Sequence, residues 1–345
     1  MKNYRNIAVV YGSDSSEWEI AVRSGRFTAS QIDSTRYDVY EIFARFGKWN
    51  VVAWRPLGGE RTEFPEGARP EIDKTDFSAL IGGKKVNFDY AYIMQHGIPG
   101  ESGQMQGYFE MLSIPFSSCS SFVSALTFDK FSCKNYLKDV DFVKCAKDIF
   151  IRKGESLEGL AEKAVQKLGL PMFVKPTDGG SSFGVTKVKK IEDFDAAVRF
   201  AFEDSDMVLA EEAIVGREIT CAVYRDASSE KALPVIEIRT SHEYFDYDAK
   251  YNGFSEEICP APLDSETTAL VQETSKKIYA HLGCSGVVRV DYILSEKGLY
   301  VLELNTIPGM TEASLVPKMV RTAGLRMTDF LNTIIDNSAV RSTGK

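Results

Sequence analysis

Residues 6–11, NIAVVY, make a short, almost wholly apolar run that stops at Gly12, and the polar stretch 13–16 leads into an amphipathic pattern carrying Trp18, Ile20, Ala21 and Phe27. That order predicts a strand, a tight turn and a helix. Further apolar runs at 49–54 and 88–94 are spaced so that helices fit between them. Residues 1–125 are therefore expected to form a Rossmann-like βαβ unit on a parallel sheet, with ligands at the carboxyl ends of its strands. The period is helical over 121–138, 157–168 and 191–202, while 148–152, 171–175, 184–188, 207–211 and 218–224 read as strands of a mixed sheet. Residues 126–218 are thus expected to be an α+β unit. In a third unit, 219–345, a helix is expected at 264–282 and strands at 286–294 and 299–304, joined by the hairpin signal Ser295-Glu296-Lys297-Gly298. Between 240 and 262 there is no period. A loop of about 20 residues in a compact protein is usually a lid or disordered, and Tyr244, Phe245, Tyr247, Tyr251 and Phe254 favour the lid.

At 345 residues the chain has room for two or three domains of about 150 residues each. Its 44% hydrophobic and 26% charged residues are globular values, and no apolar run approaches the roughly 18 residues of a membrane span. A net charge of −8 would repel a phosphate backbone, which argues against a nucleic-acid partner. The apolar residues 7–10 are too few for a signal-peptide core, so a cytoplasmic location is expected. Six cysteines, with no C-x-x-C pair, are expected to be reduced thiols.

Candidate chemistry concentrates in four places. On the expected C-terminal hairpin, alternation puts Arg289 and Asp291 on one face of one strand and Glu303 and Asn305 on one face of the next, with Val288, Val290, Leu302 and Leu304 left for the core. Two carboxylates and an amide are hard oxygen ligands suited to Mg²⁺; the bland alternative is a solvated face with an Arg289–Glu303 ion pair. In 171–184, PMFVKPTDGGSSFG, Lys175 ends a strand before a Gly/Ser loop. Val185 stands where a P-loop requires lysine, so this is no P-loop, yet its backbone N–H groups can still cover phosphates, unless it is a plain turn. Glu17 and Glu19 open the first helix. Ser16 with Glu19 makes a capping box, whereas Glu17 is explained only by a weaker cap with Asp14, which leaves it as a site residue. Of the three histidines, His96 alone stands in a glycine-dense loop, 96–103, directly after an expected strand.

Together these segments resemble the D-alanine–D-alanine ligases of the ATP-grasp superfamily, over nearly the whole chain from Val10 to Pro317. Glu303-Leu304-Asn305-Thr306-Ile307-Pro308-Gly309-Met310-Thr311, followed by Ser314-Leu315-Val316-Pro317, matches the signature E-x-N-T-x-P-G-M-T-x-x-S-L-x-P. Arg289-Val290-Asp291 is similar to the R-x-D strand. His96-Gly97 with Gly100-Glu101-Ser102-Gly103 resembles H-G-x-x-G-E-D-G with Ser102 for Asp, and 15–19 resembles S-A-E-R-E with Trp18 for Arg.

The resemblance implies an ATP-grasp fold and ATP between the second and third units. Lys134 and Lys175 would lie on the phosphates, Glu218 on the ribose, Glu211, Glu212 and Ile214 around the adenine, and Ser182 and Lys250 also on the nucleotide. Asp291, Glu303 and Asn305 would hold two Mg²⁺, with Mn²⁺ a possible substitute. Glu17, Ser181 and Tyr251 would fix the first D-alanine's amine and close the aromatic loop, with His96 near that substrate and Ser314 and Leu315 receiving the second carboxylate. Arg289 and the Gly309 N–H are the expected oxyanion donors. The implied reaction is ATP-dependent ligation of two D-alanines through an acyl phosphate, for peptidoglycan precursor synthesis, by a homodimer. Ligases using D-lactate or D-serine second, and a module that binds ATP without chemistry, are the alternatives. The segment 248–251, DAKY, resembles the dipeptide-forming kind.

Overall fold

The structure is a computed structural model that describes residues 4–180, 183–240 and 255–338. Its first unit is built on a five-stranded sheet in the order Thr62–Glu63, Lys48–Arg55, Asp38–Arg45, Asn6–Tyr11, Tyr90–Met94. Asn6–Tyr11 runs parallel to both of its neighbours. Its residues 7–11 are all buried, as in a strand covered on both faces. The expected helix is Trp18–Gln31. The apolar run 49–54 turns out to be one arm of an antiparallel hairpin with Asp38–Arg45. Phe46 and Gly47 make its two-residue turn with φ of 45° and 73°, the left-handed pair whose twist suits a tight hairpin. The pattern hid the first arm because Asp38 and Glu41 interrupt it. Both carboxylates are buried, and Arg5 and Arg61 pair with them. A small antiparallel sheet, Ile72–Asp73, Ser78–Ile81 and Lys84–Asn87, stands where a helix was expected.

The second unit is a four-stranded antiparallel sheet in the order Asp148–Arg152, Met207–Glu212, Met172–Pro176, Thr186–Val188. Helices Leu160–Leu168 and Phe194–Ala201 close a core of Ile151, Met172, Val174, Phe194 and Val198 on one face. Alternation turns Phe173 and Lys175 to the other. The third unit carries a larger sheet in the order Ser255–Ile258, Ile236–Thr240, Arg217–Arg225, Val287–Ser295, Gly298–Asn305, Lys144–Cys145. Helix Ser265–Leu282 covers one of its faces, capped by Asp264, whose carboxylate accepts the Thr267 N–H at 2.8 Å.

The hydrophobic cores cut across the boundaries expected at 125 and 218. Residues 121–138 form two helices, Ser121–Phe128 and Lys130–Leu137, broken at Asp129, whose side chain caps the second by accepting the Ser132 N–H at 2.7 Å. They bury Val123, Cys133 and Leu137 in the third unit's core. Strand Arg217–Arg225 also belongs to that sheet. Helices Leu315–Thr322 and Met327–Asn337 pack Val316, Met319, Phe330 and Ile334 into the first unit's core. Among the described residues no helix is long and apolar enough to cross a membrane.

Candidate active site

Between the second and third sheets lies a cavity of about 730 Å³, walled by Phe173 and Lys175 on one side and by Arg289, Asp291, Leu302 and Glu303 on the other. The C-terminal hairpin is in the register that alternation requires, with Arg289 opposite Asn305 and Asp291 opposite Glu303. Arg289 does not pair with Glu303 across the strands. Its guanidinium grips Asp291 on its own strand, Nε to Oδ1 at 2.9 Å and Nη2 to Oδ2 at 2.8 Å. The Thr220 hydroxyl donates to Asp291 Oδ1 at 2.5 Å, and the Asn305 amide donates to Oδ2 at 3.0 Å. Burial works against the Arg289 charge, but Asp291 more than compensates and raises its pKa further. Just beyond, the register slips: Tyr292 pairs with Val301, leaving Leu302 as the extra residue of a bulge. Val301 therefore enters the core and Leu302, expected there, lines the cavity.

Opposite stands a cation cluster. Lys134 Nζ contacts Glu211 Oε1 at 2.5 Å and Asp148 Oδ2 at 2.8 Å, and Lys175 Nζ pairs with Glu211 Oε2. Burial alone would raise the Glu211 pKa, yet the two lysines win and bring it down to about 2. Burial likewise opposes the Lys134 charge, and Glu211 and Asp148 overcome it. Glu211 thus neutralises the lysines rather than standing apart from them. Glu212, Ile214 and Glu218 line the adjoining wall. Glu212 Oε1 accepts the Lys147 N–H at 2.9 Å.

The glycine loop closes the cavity from a third side. Lys130 Nζ donates to the Gly179 carbonyl at 3.0 Å and lies 3.5 Å from Glu303 Oε2, so it ties loop to hairpin. A Cβ on Gly180 would sit 2.7 Å from Glu17 Oε2, and one on Gly97 3.6 Å from the same atom. The Glu17 carboxylate therefore lies where the first helix, the His96 loop and the glycine loop meet. The capping box expected of Ser16 and Glu19 does not form. The helix starts at Trp18 with no side-chain cap, and Ser15 Oγ instead accepts the Glu17 N–H at 3.2 Å. Asp14 accepts the Phe46 N–H. Ser181, Ser182, Lys250 and Tyr251 lie outside the described residues.

His96 is buried, with Nδ1 3.0 Å from the Ile307 carbonyl and Nε2 3.0 Å from Ser24 Oγ. Burial lowers its pKa, against the pull of Glu17. Gly309 lies against Ser314, whose hydroxyl a Cβ there would approach to 3.1 Å. Ser314 accepts the Thr311 N–H at 2.9 Å and immediately precedes helix Leu315–Thr322, where the N–H groups of Leu315 and Val316 have no partner within the helix and suit a carboxylate.

This arrangement can hold a nucleotide's phosphates between lysines and a glycine loop, and its oxygen ligands can hold divalent ions beside them. Residues 6–119 match the family model described as D-ala D-ala ligase N-terminus, and residues 137–336 match D-ala D-ala ligase C-terminus. The chain belongs to the D-alanine–D-alanine ligase family. A D-alanine–D-alanine ligase of Phocaeicola vulgatus is 46% identical over 334 residues, covering 96% of this chain and 99% of that one. In backbone, the chain is similar to the VanG D-Ala:D-Ser ligase of Enterococcus faecalis (TM-score 0.82, 30% identity, 96% and 99% covered). It also resembles the Bacillus anthracis D-alanine–D-alanine ligase complexed with ATP (TM-score 0.74, 31% identity, 97% of each chain). The expected ATP-grasp fold is thereby shown.

Against this ligase architecture, four residues of the site had escaped the sequence. Thr220 follows Glu218 by two and shares its strand face, a signal that was available. Glu101, in the loop motif but given no role, accepts the Gly97 N–H at 2.6 Å; burial and the Glu17 charge raise its pKa to about 8. Asp148 and Lys130 gave no signal, because each acquires its partner only when separate elements pack.

Proposed function

We propose that this ligase joins two D-alanines into D-alanyl-D-alanine, consuming one ATP and releasing ADP and phosphate, for peptidoglycan precursor synthesis in the cytoplasm and as a homodimer. The observation that carries the reading is the single cavity on which the lysine cluster at Glu211 and the Arg289–Asp291–Glu303 hairpin both border. A carboxylate is a poor acyl donor. Transfer of the γ-phosphoryl group to a carboxylate oxygen of the first D-alanine breaks the bond to ADP and makes an acyl phosphate. The second amine then attacks its carbonyl carbon, loses a proton, and expels phosphate.

No protein nucleophile is required, only positioning and charge. Lys134 and Lys175, already poised on Glu211, would turn to the phosphates. Glu17 would hold the first ammonium, and Ser314 with the N–H of Leu315 the second carboxylate. Arg289 and the Gly309 N–H would receive the oxyanion of the tetrahedral intermediate. Asp291, Glu303 and Asn305 fit two Mg²⁺, or Mn²⁺. Their donors are hard oxygens on paired strands, and the Asn305 amide nitrogen is turned to Asp291, which leaves its oxygen for a ligand. When bound, such ions supply neutralisation of the transferring phosphoryl group. Ser181, Ser182, Lys250 and Tyr251 complete the proposal from the resemblance, as nucleotide contacts and the lid that excludes water.

The test is product analysis with ATP, Mg²⁺ and D-alanine. ADP and phosphate should appear only with D-alanine present, together with a dipeptide mass. AMP formation, or ATP turnover indifferent to D-alanine, would overturn the reading, and a D-serine- or D-lactate-containing product in competition would replace it.

A further inference from the structure

Gly309 lies in the short segment between Ile307 and Met310, whose backbones are tied to a pair of buried side chains from the first unit. A carbonyl can only accept, so His96 Nδ1 carries the proton given to Ile307 at 3.0 Å. With burial keeping the ring neutral, Nε2 is an acceptor and takes the Ser24 hydroxyl proton at 3.0 Å. The Ser24 oxygen then accepts the Met310 N–H at 3.3 Å. The chain of bonds runs from Ile307 through His96 and Ser24 to Met310, and it brackets Gly309. Ser24 reaches this point because the next residue is Gly25, where a Cβ would lie 2.2 Å from the Tyr11 ring; only glycine lets the helix press so close to the sheet. Ser24 is wholly buried, and both nitrogens of His96 are engaged.

We infer that Ser24, acting through His96, is a positioning residue that fixes the orientation of the Gly309 N–H toward the oxyanion. It rests on the ligase reading above and gives His96 a different role from substrate contact: the ring aims the loop. The bonds join two units of the chain, so the donor would be aimed only when both are packed together. An N–H held in place before the charge develops stabilises the transition state more than the ground state.

The experiment uses the full chain with Ser24→Ala, measuring steady-state kinetics, thermal melting, and binding of D-alanyl-D-alanine and of a phosphinate isostere of that dipeptide, whose tetrahedral centre imitates the intermediate. We expect kcat to fall by about tenfold or more, part of the effect of losing an oxyanion donor outright. The KM for ATP should stay within about twofold, and the phosphinate should bind weaker by a factor close to the kcat loss while the dipeptide binds as before. His96→Gln, which keeps an amide within reach of Ser24 but loses the bond to Ile307, should show the same split. If Ser24→Ala does not fold, Ser24→Cys, of similar size with a weaker donor and acceptor, should show it in smaller measure. Equal weakening of phosphinate and dipeptide, or no change in either, overturns the inference. Wild type that makes no dipeptide overturns the ligase reading instead.

Discussion

Glu211 and Glu101 stand on either side of the same site and titrate in opposite directions. Glu211 has two lysines within contact and is held ionised down to about 2. Glu101 has the Gly97 N–H and the nearby charges of Glu17 and Glu303, and stays protonated up to about 8. Burial pushes both the same way, so the neighbouring charges make the difference. In the proposed reaction the Glu211 carboxylate would hold its two lysines until the nucleotide's phosphates arrive. The neutral Glu101 carboxyl adds no second negative charge beside Glu17, the residue proposed to hold the first ammonium.

The sharpest way to break the contrast is Lys134→Met, which leaves Glu211 with Lys175 alone and Asp148 without its partner. Removing one member of a buried ion cluster costs about 3–5 kcal/mol, and turnover should fall at least ~100-fold if, as proposed, Lys134 serves the phosphates. Urea unfolding together with D-alanine-dependent ADP release checks both. A variant within 1 kcal/mol of wild type, on the scale of an exposed pair, would show that the lysines do not hold Glu211.

Next in size is the pH dependence of stability. Glu211 has a folded pKa below its ordinary 4.5, so it contributes stability above that value that is lost as pH falls toward about 2. Glu101 has a folded pKa above 4.5, so its contribution is complete below that value and is lost as pH rises through about 8. Glu101→Gln copies the neutral form and keeps an acceptor for the Gly97 N–H. It should therefore remove a loss of up to about 1.4 kcal/mol per pH unit from the profile between pH 5 and 8. Melts of the two proteins across that range are the measurement, and parallel profiles would show that Glu101 is ionised.

The smallest effect is expected at Thr220→Val. Asp291 keeps Arg289 and Asn305, so losing one hydroxyl donor should cost about 1 kcal/mol and a few-fold in turnover, read by melting and kinetics. A loss as large as that of Lys134→Met would mean that Asp291 depends on Thr220 as Glu211 does on its lysines.

Much of the site was legible because it follows local rules. Strand alternation put Arg289, Asp291, Glu303 and Asn305 on one side of a hairpin, and the register bears this out. Leu302 was misplaced because a bulge adds a residue without leaving a mark in the hydrophobic pattern. The arm Asp38–Arg45 was missed because its buried carboxylates look like surface residues until Arg5 and Arg61, from other segments, are seen against them.

By itself the sequence determined the elements and the chemical groups they carry: the apolar run 6–11, the glycines of the 179–184 loop, and the motif from Glu303 to Pro317, since backbone propensity and side-chain period act over a few residues. Only the tertiary structure decided which groups meet. Lys134 and Glu211 are 77 residues apart, and Ser24 and Met310 are 286 apart. Such pairs exist because cores bury apolar faces from distant segments together, and the charge state of each carboxyl follows from the neighbours that burial delivers.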